Sequence, residues 1–381
     1  MIKTAVIGLG NMGSKYAKLL QDKAIEGMEL AAITRIKEPY RTILAPSIEK
    51  GLPVFESADE LFSALEAGTL NLDAVIIVTP HYSHSELAVR ALKNNLAVLS
   101  DKPSGVYSRQ AREMNEAALK AGKTFGMIFN QRTSPIYQQL YDIVHSKKYG
   151  QLKRFNWVVT DWYRPETYYK SAPWRATWSK DGGGVLLNQC PHNLDLIQWI
   201  CGMPKNVQAF CKEGHFHNIE VEDDVTAFFE WENGATGTFI TSTGDAPGVN
   251  RLELSFEDAM IVCEKGKLKI GTVEEEMGCK EREYCKKATD FFKHIDGSWK
   301  ETTPEVEKEP YQKVLQAFSD EIQGKGKCIA DGSEGKKSLI LSNAMYLSSW
   351  EKRMISLPQN EKEELAFEKE FEAAFSKKVN P

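Results

Sequence analysis

A short apolar strand followed at once by three spaced glycines constrains this chain more than any other stretch. Residues 5–7 form the apolar run, and the glycines follow in the spacing G-x-G-x-x-G. The first glycine allows a tight turn, the second allows a pyrophosphate to approach the backbone, and the third allows the next helix to pack closely. That helix, predicted over residues 14–21, would offer its N–H groups to the phosphates. The predicted phosphate-binding residues are Gly8, Gly10, Asn11, Met12 and Gly13.

The end of the second predicted strand bears on which dinucleotide binds. Residues 30–33 form this strand, and an Asp or Glu at its end would bind the ribose hydroxyls of NAD. This chain has Thr34 and Arg35 there. Without a carboxylate nothing repels a 2′-phosphate, and a guanidinium can bind one, so we expect NADP in preference to NAD. The alternative is a solvated Arg35 that stacks on adenine in either cofactor.

The composition excludes several classes of protein. With 381 residues, 42% of them hydrophobic, the chain is long enough for two domains with separate cores. The net charge is only −5, and Lys and Arg are spread along the chain, so neither nucleic acid nor an anionic membrane is an expected partner. No apolar run approaches the roughly 20 residues of a membrane span. Seven cysteines without a C-x-x-C pair favour reduced thiols. We therefore expect a cytoplasmic protein without a metal site.

Polar residues follow the strands predicted in the first 130 residues. Apolar runs at 73–78, 96–99 and 124–129 alternate with helical patterns, which is typical of a parallel βαβ sheet. Because ligands bind at the carboxyl ends of such strands, the residues that follow should lie beside the glycine turn. They are Thr79, Pro80, His84, Asp101, Lys102 and Asn130. His84 either touches the cofactor or caps the next helix, and Lys102 is either catalytic or a surface lysine before a helix.

The second half of the chain has a different pattern. Aromatic-rich runs with period-two alternation predict a mainly antiparallel sheet with one solvated face. The runs are residues 155–159, 226–231, 236–240, 251–254 and 260–262. Predicted helices at 188–201 and 311–323 make this domain α+β. We place the domains at residues 1–130 and 131–360, followed by an amphipathic helical tail at 361–381 that carries Phe367, Phe371 and Phe375.

A second polar constellation lies at residues 181–195. Three glycines at 182–184 precede Asn188 and His192, which would share one face of a helix. Histidine has an unperturbed pKa of about 6.5 and can act as a general base near neutral pH. The alternative is a structural histidine on an apolar helix. Cys190 lies between the two, but no acid–base pair in the sequence favours a thiol nucleophile.

Four ordered motifs together resemble the Gfo/Idh/MocA oxidoreductases, named for glucose–fructose oxidoreductase, inositol dehydrogenase and a rhizopine-catabolism protein. They are Gly8-x-Gly10-x-x-Gly13, Thr79-Pro80 with His84, Asp101-Lys102-Pro103, and Gly182-Gly183-Gly184 leading to His192 and Asp195. The resemblance extends from Ile2 to about Pro358. The family's Glu-Lys-Pro appears here as Asp101-Lys102-Pro103, and its Asp-x-x-x-His appears as Asn188-x-x-x-His192. The second change removes the carboxylate that would orient His192.

The resemblance implies an α/β chain with an N-terminal Rossmann domain and a C-terminal α+β domain that has a large, mainly antiparallel open sheet. It implies a sugar or cyclitol in the cleft between the domains and a homo-oligomer, a dimer or tetramer, formed through the C-terminal sheet. Lys102 and His192 then become catalytic, together with Asn188. His192 would take the proton from a ring hydroxyl, and Lys102 would hydrogen-bond the same oxygen.

The remaining substrate contacts are expected from an aromatic and basic loop. Aromatic rings cover the apolar face of a pyranose, and arginine binds hydroxyls. The expected contacts are Tyr163, Arg164, Tyr168, Trp174, Arg175, Asn188 and His192. The alternative is that the loop residues only pack against one another.

Three functions fit these features. The first is an NAD(P)-dependent dehydrogenase of a sugar or cyclitol. The second is an enzyme that uses bound NAD transiently to eliminate a group or cleave a glycoside. The third is a non-catalytic NAD(P)-binding regulatory protein, against which the presence of Lys102 and His192 argues.

Overall fold

The described part of the chain divides into two compact units. A computed structural model describes residues 1–34, 38 and 40–379. Unit 1 comprises Met1–Thr133, Ser179–Gly182 and Lys308–Ile340. Unit 2 comprises Ser134–Trp178, Gly183–Glu307 and the chain from Leu341 onward. The domain boundaries placed after residues 130 and 360 stay a prediction.

The described chain contains fifteen strands. They are β1 Ile2–Ile7, β2 Met28–Thr34, β3 Val54–Phe55, β4 Ala74–Ile77, β5 Ala97–Ser100, β6 Phe125–Met127, β7 Leu152–Val159, β8 Asn206–Glu213, β9 Glu222–Glu230, β10 Thr236–Ser242, β11 Asn250–Phe256, β12 Met260–Glu264, β13 Lys267–Thr272, β14 Ser298–Thr302 and β15 Ile355–Ser356.

Helices flank these strands. They are α1 Asn11–Gln21, α2 Tyr40–Ile48, α3 Ala58–Glu66, α4 His81–Lys93, α5 Ser108–Ala121, α6 Pro135–His145, α7 Glu166–Tyr169, α8 Pro191–Cys201, α9 Glu274–Met277, α10 Glu281–Lys287, α11 Pro310–Ile322, α12 Glu334–Glu351 and α13 Glu361–Val379. A 3₁₀ turn covers Asn130–Thr133, and a π-helical turn covers Val185–Gln189.

The sheet of unit 1 is parallel, in the order β3-β2-β1-β4-β5-β6. This is the strand order of a doubly wound dinucleotide-binding sheet, in which ligands bind where the order reverses, here beside β1 and β4. Both strands are almost wholly buried, as their continuous apolar sequence requires. The carboxyl ends of β1 and β4 therefore meet at the edge where the polar residues follow.

Helix α11 corrects one prediction, since we expected residues 311–323 in the second domain. Its Val314, Leu315 and Phe318 are buried in the same apolar cluster as Val6 and Tyr16 of unit 1. The sequence showed the amphipathic pattern of this helix but not which sheet its apolar face covers.

The sheet of unit 2 has the order β14-β13-β12-β11-β7-β10-β9-β8-β15. Its described strands pair antiparallel except β7 and β10, which pair in parallel. The alternating runs predicted this sheet as mainly antiparallel. They did not predict β8, β13 and β14, whose alternation is interrupted by Lys, Gly and Cys.

The last helix, α13, packs its aromatic stripe on the aromatic end of α12. The ring centroid of Phe371 lies 5.9 Å from that of Trp350, and the ring centroid of Phe375 lies 5.9 Å from that of Trp178. Phe371 is fully buried. The tail is thus held within unit 2 by ring packing.

No helix within residues 1–34, 38 and 40–379 is long and apolar enough to cross a membrane.

Phe371→Ala should lower the free energy of unfolding by about 3 kcal/mol, because it leaves a cavity among packed rings. Leu365→Ala, on the same helix but 38% exposed, should cost less than about 1 kcal/mol. Urea denaturation followed by tryptophan fluorescence measures both values. Equal effects of the two substitutions would show that the stripe does not stabilise unit 2.

Candidate functional site

The glycine turn of unit 1 joins β1 to α1. Gly8 has a φ of +96°, and a Cβ there would lie 2.5 Å from the carbonyl oxygen of Val78. A Cβ on Gly13 would lie 1.9 Å from the carbonyl oxygen of Gly8. The chain's own packing therefore requires both glycines. Gly10 differs, since no heavy atom of the described chain lies within 4 Å of where its Cβ would be.

The residues of the turn fit a pyrophosphate group. Helix α1 begins at Asn11 with Gly10 as its N-cap, and no side chain caps the helix. Helix N-termini carry N–H groups without intrahelical partners and a partial positive charge, both of which favour a phosphate. The open space at Gly10 allows the approach. The predicted contacts at Asn11 and Met12 lie in this first turn and stay predictions.

Thr34 supports the same turn from the end of β2. It is buried, and its Oγ1 accepts a hydrogen bond of 3.1 Å from the backbone N–H of Gly8. Arg35 lies outside the described residues. Thr34 therefore holds the glycine turn in place.

His84 connects the segments that follow β4 and β5. It lies in the first turn of α4, and Pro80 is at the N-cap, so His84 does not cap this helix. Its Nδ1 lies 2.7 Å from the carbonyl oxygen of Pro103, and its Nε2 lies 2.6 Å from that of Thr79. Carbonyls only accept, so both contacts are hydrogen bonds only when the ring carries both protons. Burial lowers the pKa of His84, whereas the two carbonyls and Asp101 oppose that shift.

Asp101 and Lys102 follow β5 in the same segment. The carboxylate of Asp101 accepts the backbone N–H of Lys102 at 2.9 Å. Burial raises the pKa of Asp101, and the charges of Lys102 and His84 oppose this shift. Asn130 follows β6, and its Oδ1 is buried without a hydrogen-bond partner among the described residues. An unmatched acceptor at the carboxyl edge of the sheet fits a ligand that donates a hydrogen bond.

Another histidine at this edge was missed by the sequence analysis. His81 Nδ1 lies 2.8 Å from the carbonyl oxygen and 3.2 Å from the carboxylate of Asp181, and both residues belong to unit 1. The pair joins α4 to the segment at 179–182. No local sequence motif connects the two residues, because they are 100 positions apart in the chain.

In unit 2, Asn188 and His192 do not share one continuous helix, which corrects our prediction. Asn188 lies in the π-helical turn Val185–Gln189, and α8 begins at Pro191, one residue before His192. Proline has no N–H to continue the first turn and is favoured at a helix start. The two side chains are therefore positioned by different backbone segments.

A buried carboxyl holds the π-helical turn. Glu222 accepts the backbone N–H groups of Gly184 and Leu186, each at 2.9 Å, and the hydroxyl of Tyr346 at 2.8 Å. Burial raises its pKa from 4.5 to about 7, although these three donors act in the opposite direction. Gly184 must approach closely, since a Cβ there would lie 1.8 Å from the Glu222 carbonyl oxygen. The sequence showed only three consecutive acids at a strand start.

Tyr168 connects Asn188 to the basic loop. Its hydroxyl donates to Asn188 Oδ1 at 3.2 Å and accepts from Arg175 Nη1 at 2.8 Å. The guanidinium carbons of Arg175 and Arg164 lie 4.5 Å and 5.2 Å from the centroid of the same ring. Trp174 packs on Arg175 at 4.5 Å. Of the predicted substrate contacts, these are brought together, whereas Tyr163 is exposed and contributes its carbonyl to Arg164.

His217 and Asp223 fix the backbone of this loop and were also missed by the sequence analysis. Asp223 accepts the backbone N–H groups of His215, Phe216 and His217, and His217 Nδ1 at 2.9 Å. His217 Nε2 lies 2.7 Å from the carbonyl oxygen of Arg164, to which it donates. The N–H of Arg164 donates to the carbonyl of Thr243 at 2.9 Å. Both backbone polar groups of Arg164 are thus bound.

Two family models match the chain. Residues 2–129 match the oxidoreductase family with an NAD-binding Rossmann fold, and residues 137–268 match the GFO/IDH/MocA C-terminal domain. Both matches confirm the resemblance that four motifs indicated. They also confirm the Rossmann domain followed by a second, mainly antiparallel domain.

Named relatives are distant in sequence, and the matched share of the chain differs between them. The scyllo-inositol 2-dehydrogenase (NAD(+)) of Bacillus subtilis is 22% identical over 244 residues, which cover 62% of this chain and 66% of that protein. The D-glucoside 3-dehydrogenase of Escherichia coli is 27% identical over 366 residues, which cover 91% of this chain and 95% of that protein. The WlbA dehydrogenase of Chromobacterium violaceum, solved with NADH and UDP-GlcNAcA, is 25% identical with a TM-score of 0.74, covering 94% of this chain and 96% of that one.

Gly10→Ala should weaken NADH binding at least about tenfold without changing the thermal unfolding midpoint, because the methyl group fills only the space where a phosphate would approach. Gly13→Ala should weaken binding and also lower the midpoint, since its Cβ meets the Gly8 carbonyl. Fluorescence titration with NADH and a thermal scan measure the two quantities. Wild-type NADH affinity in Gly10→Ala would exclude this turn as the phosphate site.

Glu222→Gln should remove a pH dependence of stability. Between pH 4.5 and about 7 the folded chain keeps a proton on Glu222 that the unfolded chain has lost. The free energy of unfolding of the wild type should therefore fall by roughly 3 kcal/mol relative to the variant as the pH rises through this range. Urea denaturation at several pH values measures the difference.

Glu220→Gln is the matched control, because it removes an exposed carboxyl two residues away. Its pH curve should follow that of the wild type. If the free energies of unfolding of the wild type and Glu222→Gln differed by the same amount from acid to neutral pH, Glu222 would not titrate in this range.

Proposed function

Because the chain belongs to the Gfo/Idh/MocA oxidoreductase family, we propose that it oxidises a ring hydroxyl of a sugar, sugar derivative or cyclitol, or reduces the corresponding ketone. The names of two relatives support this substrate class, since one acts on an inositol and the other on a glucoside. The observation that carries the proposal is the hydrogen-bonded set of Tyr168, Asn188 and Arg175. Asn188 lies four residues before His192 in sequence. Rings, an amide and guanidinium groups together suit a polyhydroxylated ring.

The catalytic roles follow from the charge that develops on the substrate. His192 takes the hydroxyl proton as general base. Lys102 donates a hydrogen bond to the same oxygen and stabilises its growing negative charge. Asn188 donates its amide N–H to a neighbouring hydroxyl while its Oδ1 accepts from Tyr168. Because residue 188 is an amide and not a carboxylate, it adds no negative charge to stabilise His192 after the proton is taken up.

A bound nicotinamide dinucleotide supplies the hydride acceptor when the hydroxyl is oxidised. Gly8, Gly10 and Gly13 with the first turn of α1 bind its phosphates, and Thr34 keeps the turn in place. We propose a preference for NADP over NAD, because no carboxylate stands at residues 34 or 35 to repel a 2′-phosphate. Thr79, Pro80, Asp101 and Asn130 would complete the site at the strand ends, and His84 would position it.

Self-association through the large sheet completes the proposal. Phe210 on β8 and Phe228 on β9 are 61% and 41% exposed, and Trp299 on β14 is 52% exposed. Phe210 and Phe228 lie on adjacent strands, and Trp299 lies at the opposite edge of the sheet. Exposed aromatic side chains on a sheet favour a covered face. We propose a homo-oligomer, a dimer or tetramer, formed through this sheet.

Lys102→Ala and His192→Ala should each lower turnover about a hundredfold, because each removes a group that acts on the reacting hydroxyl. Lys93→Ala, which removes an exposed lysine of α4, is the control and should keep wild-type turnover. Absorbance of the reduced nicotinamide is followed with NAD and NADP in parallel over a panel of sugars, cyclitols and glycosides.

If Lys102→Ala kept more than about a tenth of the wild-type turnover, the catalytic role proposed for Lys102 would be wrong. A flat absorbance trace with product detected by chromatography would replace the dehydrogenase by the enzyme that uses its cofactor transiently. A flat trace without product, together with ligand binding, would favour the regulatory protein.

A further inference from the structure

Two arginines of unit 2 lie over the ring of one tyrosine, whose hydroxyl is hydrogen-bonded to Asn188. The guanidinium carbons of Arg164 and Arg175 lie 5.2 Å and 4.5 Å from the ring centroid of Tyr168. Arg175 also donates to the Tyr168 hydroxyl at 2.8 Å, and that hydroxyl donates to Asn188. Two positive charges are therefore held beside the residue that we propose to bind a substrate hydroxyl.

Neither guanidinium group has a carboxylate within ion-pair distance in the part of the chain that is described. Arg164 donates to the carbonyl of Tyr163 at 2.9 Å, and Arg175 donates to the hydroxyls of Ser171 and Tyr168. All these acceptors are neutral. Other guanidinium groups of the same unit are paired with carboxylates, namely Arg251 with Glu253 at 2.6 Å and Arg282 with Asp258 at 2.8 Å.

The acidic side chains of the same loop region are engaged by other groups. Glu166 accepts the backbone N–H of Asn218 at 2.9 Å and lies 3.6 Å from Lys170. Asp223 is occupied by His217 and three backbone N–H groups. Since these carboxylates are bound elsewhere, the charge of the arginine pair is left for a group outside the described chain.

Two further features mark a built site and not a pair of loose surface side chains. The backbone of Arg164 is bound at its N–H by Thr243 and at its carbonyl by His217, so the start of its side chain is fixed. The indole Nε1 of Trp162 is buried without a hydrogen-bond acceptor among the described residues, and the Arg164 guanidinium lies 5.8 Å from that ring. A ligand with an acceptor group beside Arg164 would give the Trp162 N–H a hydrogen-bond partner.

We propose that the substrate carries an anionic group, a carboxylate or a phosphate, that Arg164 and Arg175 bind next to Tyr168. This inference rests on the proposed sugar or cyclitol oxidation and narrows its substrate class. The planar guanidinium fork matches both groups in a bidentate geometry, and stacking on Tyr168 and Trp174 keeps the forks oriented. A neutral sugar would leave both charges without a counter-charge.

The test measures anion binding, which needs no turnover. Isothermal titration of the NADP-saturated protein with inorganic phosphate, with D-glucuronate and with D-glucose separates the two anionic groups from the neutral ring. The wild type should bind at least one of the anions with millimolar affinity or better, and at least about tenfold more tightly than glucose. Phosphate alone indicates a phosphorylated substrate, and glucuronate alone indicates a sugar acid.

The variant R164Q/R175Q should lose at least about tenfold in affinity for the bound anion. R164K/R175K, which keeps both charges but not the forks, should lose less. R154Q removes an exposed arginine of β7 and should bind as the wild type does. Thermal scans verify that each variant is folded.

Either of two results would overturn the proposal: no anion binding by the wild type up to roughly 50 mM, or equal affinity in the wild type and R164Q/R175Q. Neither result touches the proposed oxidation, because that is judged by turnover in Lys102→Ala and His192→Ala. Conversely, an inactive protein that still binds anions through these arginines would keep this site and lose the oxidation.

Discussion

The close approach of α1 to β1 is the constraint on which unit 1 depends. A Cβ on Gly13 would lie 1.9 Å from the Gly8 carbonyl oxygen, so the helix can lie on the strand only with hydrogen at that position. The same approach fixes where the uncapped end of α1 stands relative to the carboxyl ends of β1 and β4. Polar residues after β4, β5 and β6 are then held at that edge, with His84 joining two of the segments. Packing in the apolar layer thus determines the place of a polar site.

Unit 2 builds its polar cluster by a different means, through buried charged groups. Glu222 ties the turn that carries Asn188, and Asp223 with His217 ties the loop that carries Arg164. Neighbouring residues of one strand thereby hold two segments that are distant in sequence. Such buried groups are costly unless their hydrogen bonds are complete, and each of these carboxylates accepts at least three.

Local patterns made much of this structure predictable, and long-range pairings account for the rest. The Gly8 to Gly13 spacing and the apolar runs of β1 and β4 identified the parallel sheet because their periodicity is a property of adjacent residues. The π-helical turn before Pro191 was missed, since the Asn188 and His192 spacing equally suits one helix. Glu222, His217 and His81 were missed for another reason. Each of them has a partner tens of residues away, and no local pattern reports a hydrogen bond across that distance.

At Arg164, the conformation of the loop and the chemistry of the side chain depend on different groups. Its peptide groups are bound by Thr243 and His217, whereas its guanidinium takes no part in those bonds. Substitution at residue 164 therefore alters the chemistry of the loop while the hydrogen bonds that shape the loop persist. During evolution, a single codon at this position can change the charge of the loop without a compensating mutation among the residues that bind its backbone.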